Sequence, residues 1–291
     1  MDADLRLSVV IPTHNRHDRV VRAVTALAGQ VVAGDLAAAV EVIVVDDGSE
    51  PECAAKTGDA IRCLNHPFLR CLALPENRGA SGARNAGAAV SRGAVIAFLD
   101  DDIVPADDYL CATIRAHDRH PEALVINGNL RARQSGVYAD FWFYYYSAVF
   151  NRPGQAFFTI EMLSSGHFSL KRELLERVQP LFDTALTSRE DFDLYLRLEQ
   201  EGIPSYKDDT ILAFIDTRTT MVSFLKQRLW YSRGQDQLVN KHGPLLTPRT
   251  LPPPDPRFWH LYFLIRLANR MARYYRAARR HIAFRSTRGQ A

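Results

Sequence analysis

Short β-branched runs alternate with helical patterns over roughly the first 128 residues, and this alternation predicts the architecture. Residues 7–11 read as a buried strand, and residues 18–28 as a helix with Val20, Val21, Val24 and Leu27 on its apolar side. A second strand at 41–45 runs into turn chemistry at Asp47, Gly48 and Ser49. A weaker strand at 70–74, a helix of small residues at 80–90, a strand at 94–99, a helix at 106–119 and a strand at 124–127 continue the series. Such an order implies an α/β fold, a mostly parallel sheet with helices on both faces. Functional groups in these sheets collect at the carboxyl ends of the strands. Polar clusters fall there, at 13–16, 46–49 and 100–102.

Beyond residue 130 the alternation breaks down. Residues 131–150 are aromatic-rich, and 157–170 could supply strands of a second half. Residues 171–178, 190–201 and 222–233 read as helices, with a strand at 211–215. Five prolines in 248–256 mark a linker. The last segment reads as a helix with Leu264, Ala268, Met271, Tyr275, Ala278 and Ile282 on one stripe and Arg266, Arg270, Arg273, Arg276 and Arg280 on another.

Charge adds a second division. The chain of 291 residues carries 36 basic and 33 acidic side chains, net +3, yet residues 257–291 hold nine arginines and no acid. The remainder therefore has 27 basic and 33 acidic residues, net −6. An acidic body with a basic tail speaks against a uniformly basic nucleic-acid binder. Cys53, Cys63, Cys71 and Cys111 match neither paired metal ligands nor a secreted disulfide framework, and read as reduced. The first residues lack the basic-then-apolar order of a signal peptide, so a cytoplasmic location is expected. The uncharged runs reach only about half of the ~20 residues that span a bilayer.

Asp100, Asp101 and Asp102 carry the first chemistry, because three carboxylates at a strand end repel unless a cation sits among them. Oxygen ligands in this pattern suit Mg²⁺ or Mn²⁺, which keep coordination positions for phosphate oxygens. The alternative is an acidic cap for the helix that follows.

SVVIPTHNR (8–16), VIVVDDGS (42–49) and NRGASGARNAGAAVSRGAVIAFLDDD (77–102) together resemble the nucleotide-sugar-binding half of family 2 glycosyltransferases, which have the GT-A fold. The likeness continues more loosely through 164–178 and 188–202. It implies a nucleotide-sugar-binding half at 1–128, an acceptor-side half of the same catalytic domain at 129–247, and a linker with basic helix at 248–291. By the same resemblance Pro12, Thr13, Asn15 and Arg16 surround base and ribose, and Asp47, supported by Asp46, meets the base edge. A carboxylate there accepts the imide N–H of uracil or the N–H donors of guanine, and a UDP-sugar is favoured; an ordinary turn is the alternative reading of 46–48. Asn77, Arg78 and Arg84 lie near the nucleotide, Asp100 and Asp101 take part in donor binding, and Asp100 and Asp102 hold the metal.

Glu190 and Asp191 resemble the family's acidic pair at the start of an acceptor-side helix. The match makes Asp191 the general base of an inverting displacement and Glu190 its orienting neighbour, while Asp193 is expected to be solvated. The alternative is three acids that merely complement a helix dipole. Two positions depart from the family: Asp216 stands where a His is common, and His167 where an Asn is common. The segment from Gln227 to Trp230 loosely resembles the family's Gln-x-x-Arg-Trp stretch.

The resemblance thus implies a metal-dependent transfer of sugar to a hydroxyl of a glycan, lipid-linked or small-molecule acceptor. A non-catalytic nucleotide-sugar- or glycan-binding module and a sugar-phosphate nucleotidyltransferase are the rival readings; the second lacks its Gly-rich basic loop after the first strand. The aromatic run at 141–146 reads as core or interface, alternatively as a sugar platform. The basic helix either docks on the acidic body or holds the enzyme at the inner face of an anionic membrane. Self-association through either surface is a further expectation.

Overall fold

The computed structural model describes residues 5–164, 166–243, 255–268 and 270–271. In chain order it contains β1 (Leu7–Thr13), α1 (His17–Ala33), β2 (Val40–Asp46), α2 (Pro51–Leu64), β3 (Leu69–Ala73), α3 (Gly79–Val90), β4 (Val95–Leu99), β5 (Ile103–Pro105) and α4 (Tyr109–Arg119). There follow β6 (Val125–Ala132), α5 (Val137–Phe150), β7 (Phe157–Ile160), β8 (His167–Lys171), α6 (Leu174–Arg177), α7 (Glu190–Gln200), β9 (Ser205–Ile215) and α8 (Met221–His242). A 3-10 turn, Pro256–Phe258, leads into helical residues 259–268.

One sheet runs in the order β3-β2-β1-β4-β8-β6-β9-β5, with β7 on β9. The strands β3, β2, β1 and β4 pair in parallel, and every residue of β1, β2 and β4 is buried. Burial on both faces explains their unbroken Val and Ile runs. Antiparallel pairing enters with β8, between β4 and β6, and with β5 and β7 on β9. Residue 128 lies inside β6, so the sheet is continuous across the two halves.

Several elements differ from the sequence expectations. The segment 51–64 is a helix begun by Pro51, unread in the sequence because its apolar face is only Thr57 and Ile61 deep. The aromatic residues 137–150 form α5, whose apolar residues lie all round and give no 3.6-residue signal. Residues 171–178 contribute only the single turn α6, because Lys171 completes β8. Strand β9 and helix α8 are much longer than 211–215 and 222–233.

Packing fixes the strand ends closely. A Cβ at Gly87 of α3 would lie 2.3 Å from Val10 Cγ1, so the small residues of that helix let it sit directly on β1 and β2. Strand β4 pairs with β1 only as far as Val10, which leaves Pro12 beyond that ladder, where its missing N–H costs no bond. None of the four cysteines is in a disulfide, and Cys63 and Cys71 are exposed.

Candidate active site

The parallel register sets Thr13 beside Asp46, so the loops after β1 and β2 leave the sheet side by side. Asp47 N–H donates to the Thr13 carbonyl at 2.9 Å, and His14 pairs with the Asp47 carbonyl at 2.9 Å. Asp46 accepts from Ser49 N–H at 2.9 Å, which closes the turn, and Asp47 accepts from Arg78 N–H at 2.7 Å. Asn15 adopts φ 53°, donates its N–H to Ser49 Oγ and accepts from Glu50 N–H at 2.7 Å. Asn77 accepts from Gly79 N–H at 3.0 Å. Gly48 has φ +65°, and a Cβ there would stand 2.5 Å from the Glu76 carbonyl carbon; only glycine lets these loops meet. Pro12, Thr13, Asn15, Arg16, Asp46, Asp47, Asn77 and Arg78 thereby share one edge.

The strand-end triplet divides its side chains. Asp101 is buried and accepts from Thr13 Oγ1 at 2.9 Å and Arg16 Nη1 at 3.0 Å. Burial pushes its carboxyl up, against the pull of Arg16 and Thr13. Asp100 accepts from Arg84 Nη2 at 2.5 Å, while its N–H donates to the Gly166 carbonyl at 3.0 Å. Asp102 lies 3.5 Å from Arg19, and its carbonyl accepts from Asp216 N–H at 3.1 Å. Burial, then the charges of Asp100 and Asp101, push the Asp102 carboxyl up to about 6. Pairing of β4 with β8 and of β5 with β9 is what brings Gly166 and Asp216 to either side of the triplet.

Arg84 joins this triplet to α7. It is buried, and its second nitrogen donates to Glu190 Oε1 at 2.8 Å. Burial alone would lower the guanidinium, yet Asp100 and Glu190 hold it above its ordinary range. Asp191 accepts from Phe192 N–H at 2.8 Å, and its charge is felt by the half-buried Tyr231. Arg189, just before the pair, has φ 69° and lies over the Tyr231 ring at 5.4 Å. Backbone strain of this kind collects at functional sites.

Asp193 corrects an expectation. It is fully buried, not solvated, and is held by Arg197 at 2.9 Å and by Lys241 and His242 at 2.7 Å each. Burial opposes its charge, but the hydrogen bonds from Lys241 and His242 and the charges of Arg197 and Lys241 keep its carboxyl below the usual range. Lys241 and His242 come from the C-terminal end of α8, whose Gly234 packs so tightly on Ser188 that a Cβ would stand 2.1 Å from its Oγ. Helix α8 therefore clamps the start of α7.

Asp216 is tied down by Arg22 at 2.5 Å, Arg133 at 2.9 Å and Gln134 at 2.8 Å. Burial opposes its charge, and Gln134 and the two arginines outweigh it, so the carboxyl sits low. His167 is fully buried beneath Gly128 and stacks on Tyr109 at 5.5 Å; burial, then Lys207, push it down to about 3. It is a core residue. A pocket beside Asp102 is lined by Tyr138, Trp142, Asp216, Thr217, Arg218, Gln227 and Arg228. Sequence reasoning missed Tyr138, Arg189, Arg228 and Tyr231; the signal available was the aromatic and basic density of 137–146 and 226–233.

The donor set tests the fit of a metal. Asp100 and Asp102 supply hard oxygen ligands, and the raised Asp102 carboxyl marks a place where negative charge lacks compensation. Among the described residues no cluster of three or more His, Cys, Asp or Glu could hold a metal alone. Two carboxylates with the remaining positions left to phosphate oxygens fit Mg²⁺ or Mn²⁺.

A mixed sheet with these strand-end loops is the architecture of GT-A glycosyltransferases. The fold is similar to that of the mannosyltransferase PcManGT from Pyrobaculum calidifontis, solved with GDP-Man and Mn²⁺, at TM-score 0.63 and 19% identity over 94% of this chain and 73% of that one. Staphylococcus aureus TarS 1-349 is similar at TM-score 0.56 and 18% identity, covering 81% of this chain and 66% of that one. The profile of glycosyl transferase family 2 matches residues 8–179, and the chain belongs to that family. A pre-mycofactocin glycosyltransferase of Mycobacterium tuberculosis is 26% identical over 251 residues, 83% of this chain and 49% of that protein. The succinoglycan biosynthesis protein ExoO of Rhizobium meliloti is 39% identical over 113 residues, 38% of this chain and 30% of that protein. The chain thus spans about half or less of these relatives' length.

Proposed function

We propose that the protein transfers a sugar from a nucleoside-diphosphate sugar, UDP-sugars being favoured, to an acceptor hydroxyl with inversion at the anomeric carbon. The observation that carries this reading is Arg84, which ties Asp100 of the strand-end triplet to Glu190 of the helix-start pair within one buried contact set. Residues 1–128 act as the donor half and 129–247 as the acceptor half of one catalytic domain. Asp47 and the 12–16 loop receive the nucleoside, with Asn77 and Arg78 beside it.

Asp100 and Asp102 would hold Mg²⁺ or Mn²⁺, which neutralises charge developing on the departing diphosphate. Asp191 accepts the proton of the acceptor hydroxyl. As that oxygen forms its bond to the anomeric carbon, the bond from that carbon to the diphosphate oxygen breaks on the opposite face. Arg84 fixes Glu190 and so sets the first turn of α7 on which Asp191 rides. Tyr138 and Trp142 offer aromatic faces to acceptor or sugar in the pocket beside Asp102.

Calorimetric titration with UDP, GDP, dTDP and CDP, each with Mn²⁺ and with EDTA, tests the donor half. One nucleotide is expected to bind with metal and to lose binding in Asp102→Ala. Absence of binding by all four in a folded sample would return the chain to the reading of a glycan-binding module with a vestigial donor site.

A further inference from the structure

The segment after the prolines carries two apolar faces, and the body covers only one of them. Phe258, Leu261, Tyr262 and Ile265 close a second hydrophobic cluster with Phe141, Tyr144 and Tyr145 of α5 and Phe224 of α8. Phe141 lies 5.5 Å from both Phe258 and Tyr262, each edge to face. The expected stripe through Leu264, Ala268 and Met271 is therefore not the docking face; its positions beyond 271 lie outside the described residues.

The opposite side is bare. Trp259 is 64% exposed, Phe263 67%, Leu267 44% and Met271 64%. A spacing of four residues sets them on one ridge, about 18 Å long at helical rise. Arg266 and Arg270 are exposed beside it. From 256 to 291 the sequence has nine arginines and no acid. An all-cationic flank selects an anionic partner, and a Trp and Phe ridge selects one with hydrocarbon at its surface. A second copy of the chain is a poor occupant, because two such helices face to face would oppose arginine to arginine. Among the described residues no helix is long and apolar enough to cross a membrane.

We propose that helical residues 259–268, with Arg270 and Met271, form an interfacial anchor, which lays Trp259, Phe263, Leu267 and Met271 into an anionic lipid surface while its other side grips the body. The two expectations for this segment, docking and lipid contact, are then properties of two faces of one helix. Helix α5 gives the arrangement its consequence: Phe141 holds the anchor, whereas Tyr138 and Trp142 line the pocket beside Asp102. The pocket stands one helix away from the lipid surface, where an amphiphilic acceptor would be presented.

Flotation of the full chain with vesicles tests this without any assay of sugar transfer. Equimolar phosphatidylcholine and phosphatidylglycerol vesicles should carry the protein, and phosphatidylcholine alone should not. The combined variant W259S, F263S and L267S should float at least about ten-fold less, with an unchanged melting curve, since these side chains stand outside the cluster with α5. R266Q with R270Q should weaken binding on the order of five-fold per arginine and flatten its salt dependence. Equal flotation with neutral vesicles, no flotation, or a Ser variant that floats as the parent does would overturn the anchor. So would a lipid-free dimer that the Ser variant converts to monomer, which would assign the ridge to self-association.

Discussion

The strand-end triplet and the helix-start acids are two groups of carboxylates close in chemistry and opposite in how their charge is managed. In the triplet the middle residue is the most tightly held: Asp101 is locked by Thr13 and Arg16, while Asp102 meets Arg19 at 3.5 Å, feels Arg16, and is still pushed up to about 6 by burial, Asp100 and Asp101. On α7 the flanking acids are the ones paired to cations. Glu190 is spent on Arg84, and Asp193 on Arg197, Lys241 and His242. An acid's role here follows from the cations that already own it, not from its rank in the motif. Each acid of the triplet meets one arginine, and burial still raises Asp102, whereas Arg84, Arg197 and Lys241 hold the flanking acids of the helix start in place.

Asp191→Asn gives the largest expected effect. Transfer should fall by roughly 10²- to 10⁴-fold, the range of a lost general base, with nucleotide affinity unchanged by calorimetry. Asp193→Asn should do the reverse, lowering the unfolding midpoint and disturbing kcat far less. If Asp193→Asn proved the more damaging to turnover at equal stability, the assignment within α7 would be exchanged.

Arg84→Met tests the link between the two groups. Removing one member of a buried ion network leaves Asp100 and Glu190 uncompensated and should cost about 3–5 kcal/mol, read by denaturant melts. A loss under about 1 kcal/mol would mean that the two acids are solvated and that Arg84 does not couple them.

Legibility in the sequence follows the same division. The first half was readable because buried parallel strands print as unbroken Val and Ile runs, and because loops at their carboxyl ends collect polar residues. The pocket wall was not. Helix α5 is apolar on every side, so no period reveals it, and Tyr138 and Trp142 cannot be told from the core residues Phe141 and Tyr146. The burial of Asp193 was equally hidden, since Lys241 and His242 reach it from about fifty residues away. Arg84 was read as a nucleotide neighbour, but a sequence cannot show that both of its terminal nitrogens, Nη1 and Nη2, already hold carboxylates.

Acid pH should separate the buried carboxylates from the buried bases. His117 is pushed down to about 4 by burial and then by Lys171, and His167 to about 3 by burial and then by Lys207. Both are neutral in the fold at pH 6, while the unfolded chain begins to protonate them near 6.5. Below that value the unfolded state binds more protons, so stability falls with pH and is lost progressively down to about 4 and 3. Each histidine contributes up to ~1.4 kcal/mol per pH unit inside its window. Asp193 and Asp216, held below the usual carboxylate range, keep their contribution until the pH has dropped past the ordinary Asp value near ~3.9. Asp101 and Asp102, whose raised carboxyls favour proton binding by the fold, oppose the decline from the histidines. Guanidinium melts from pH 7 to 5 should therefore show His117's share as a difference in slope between the parent and His117→Gln. Equal slopes for the parent and His117→Gln would mean that the His117 imidazole titrates in the fold as it does in water.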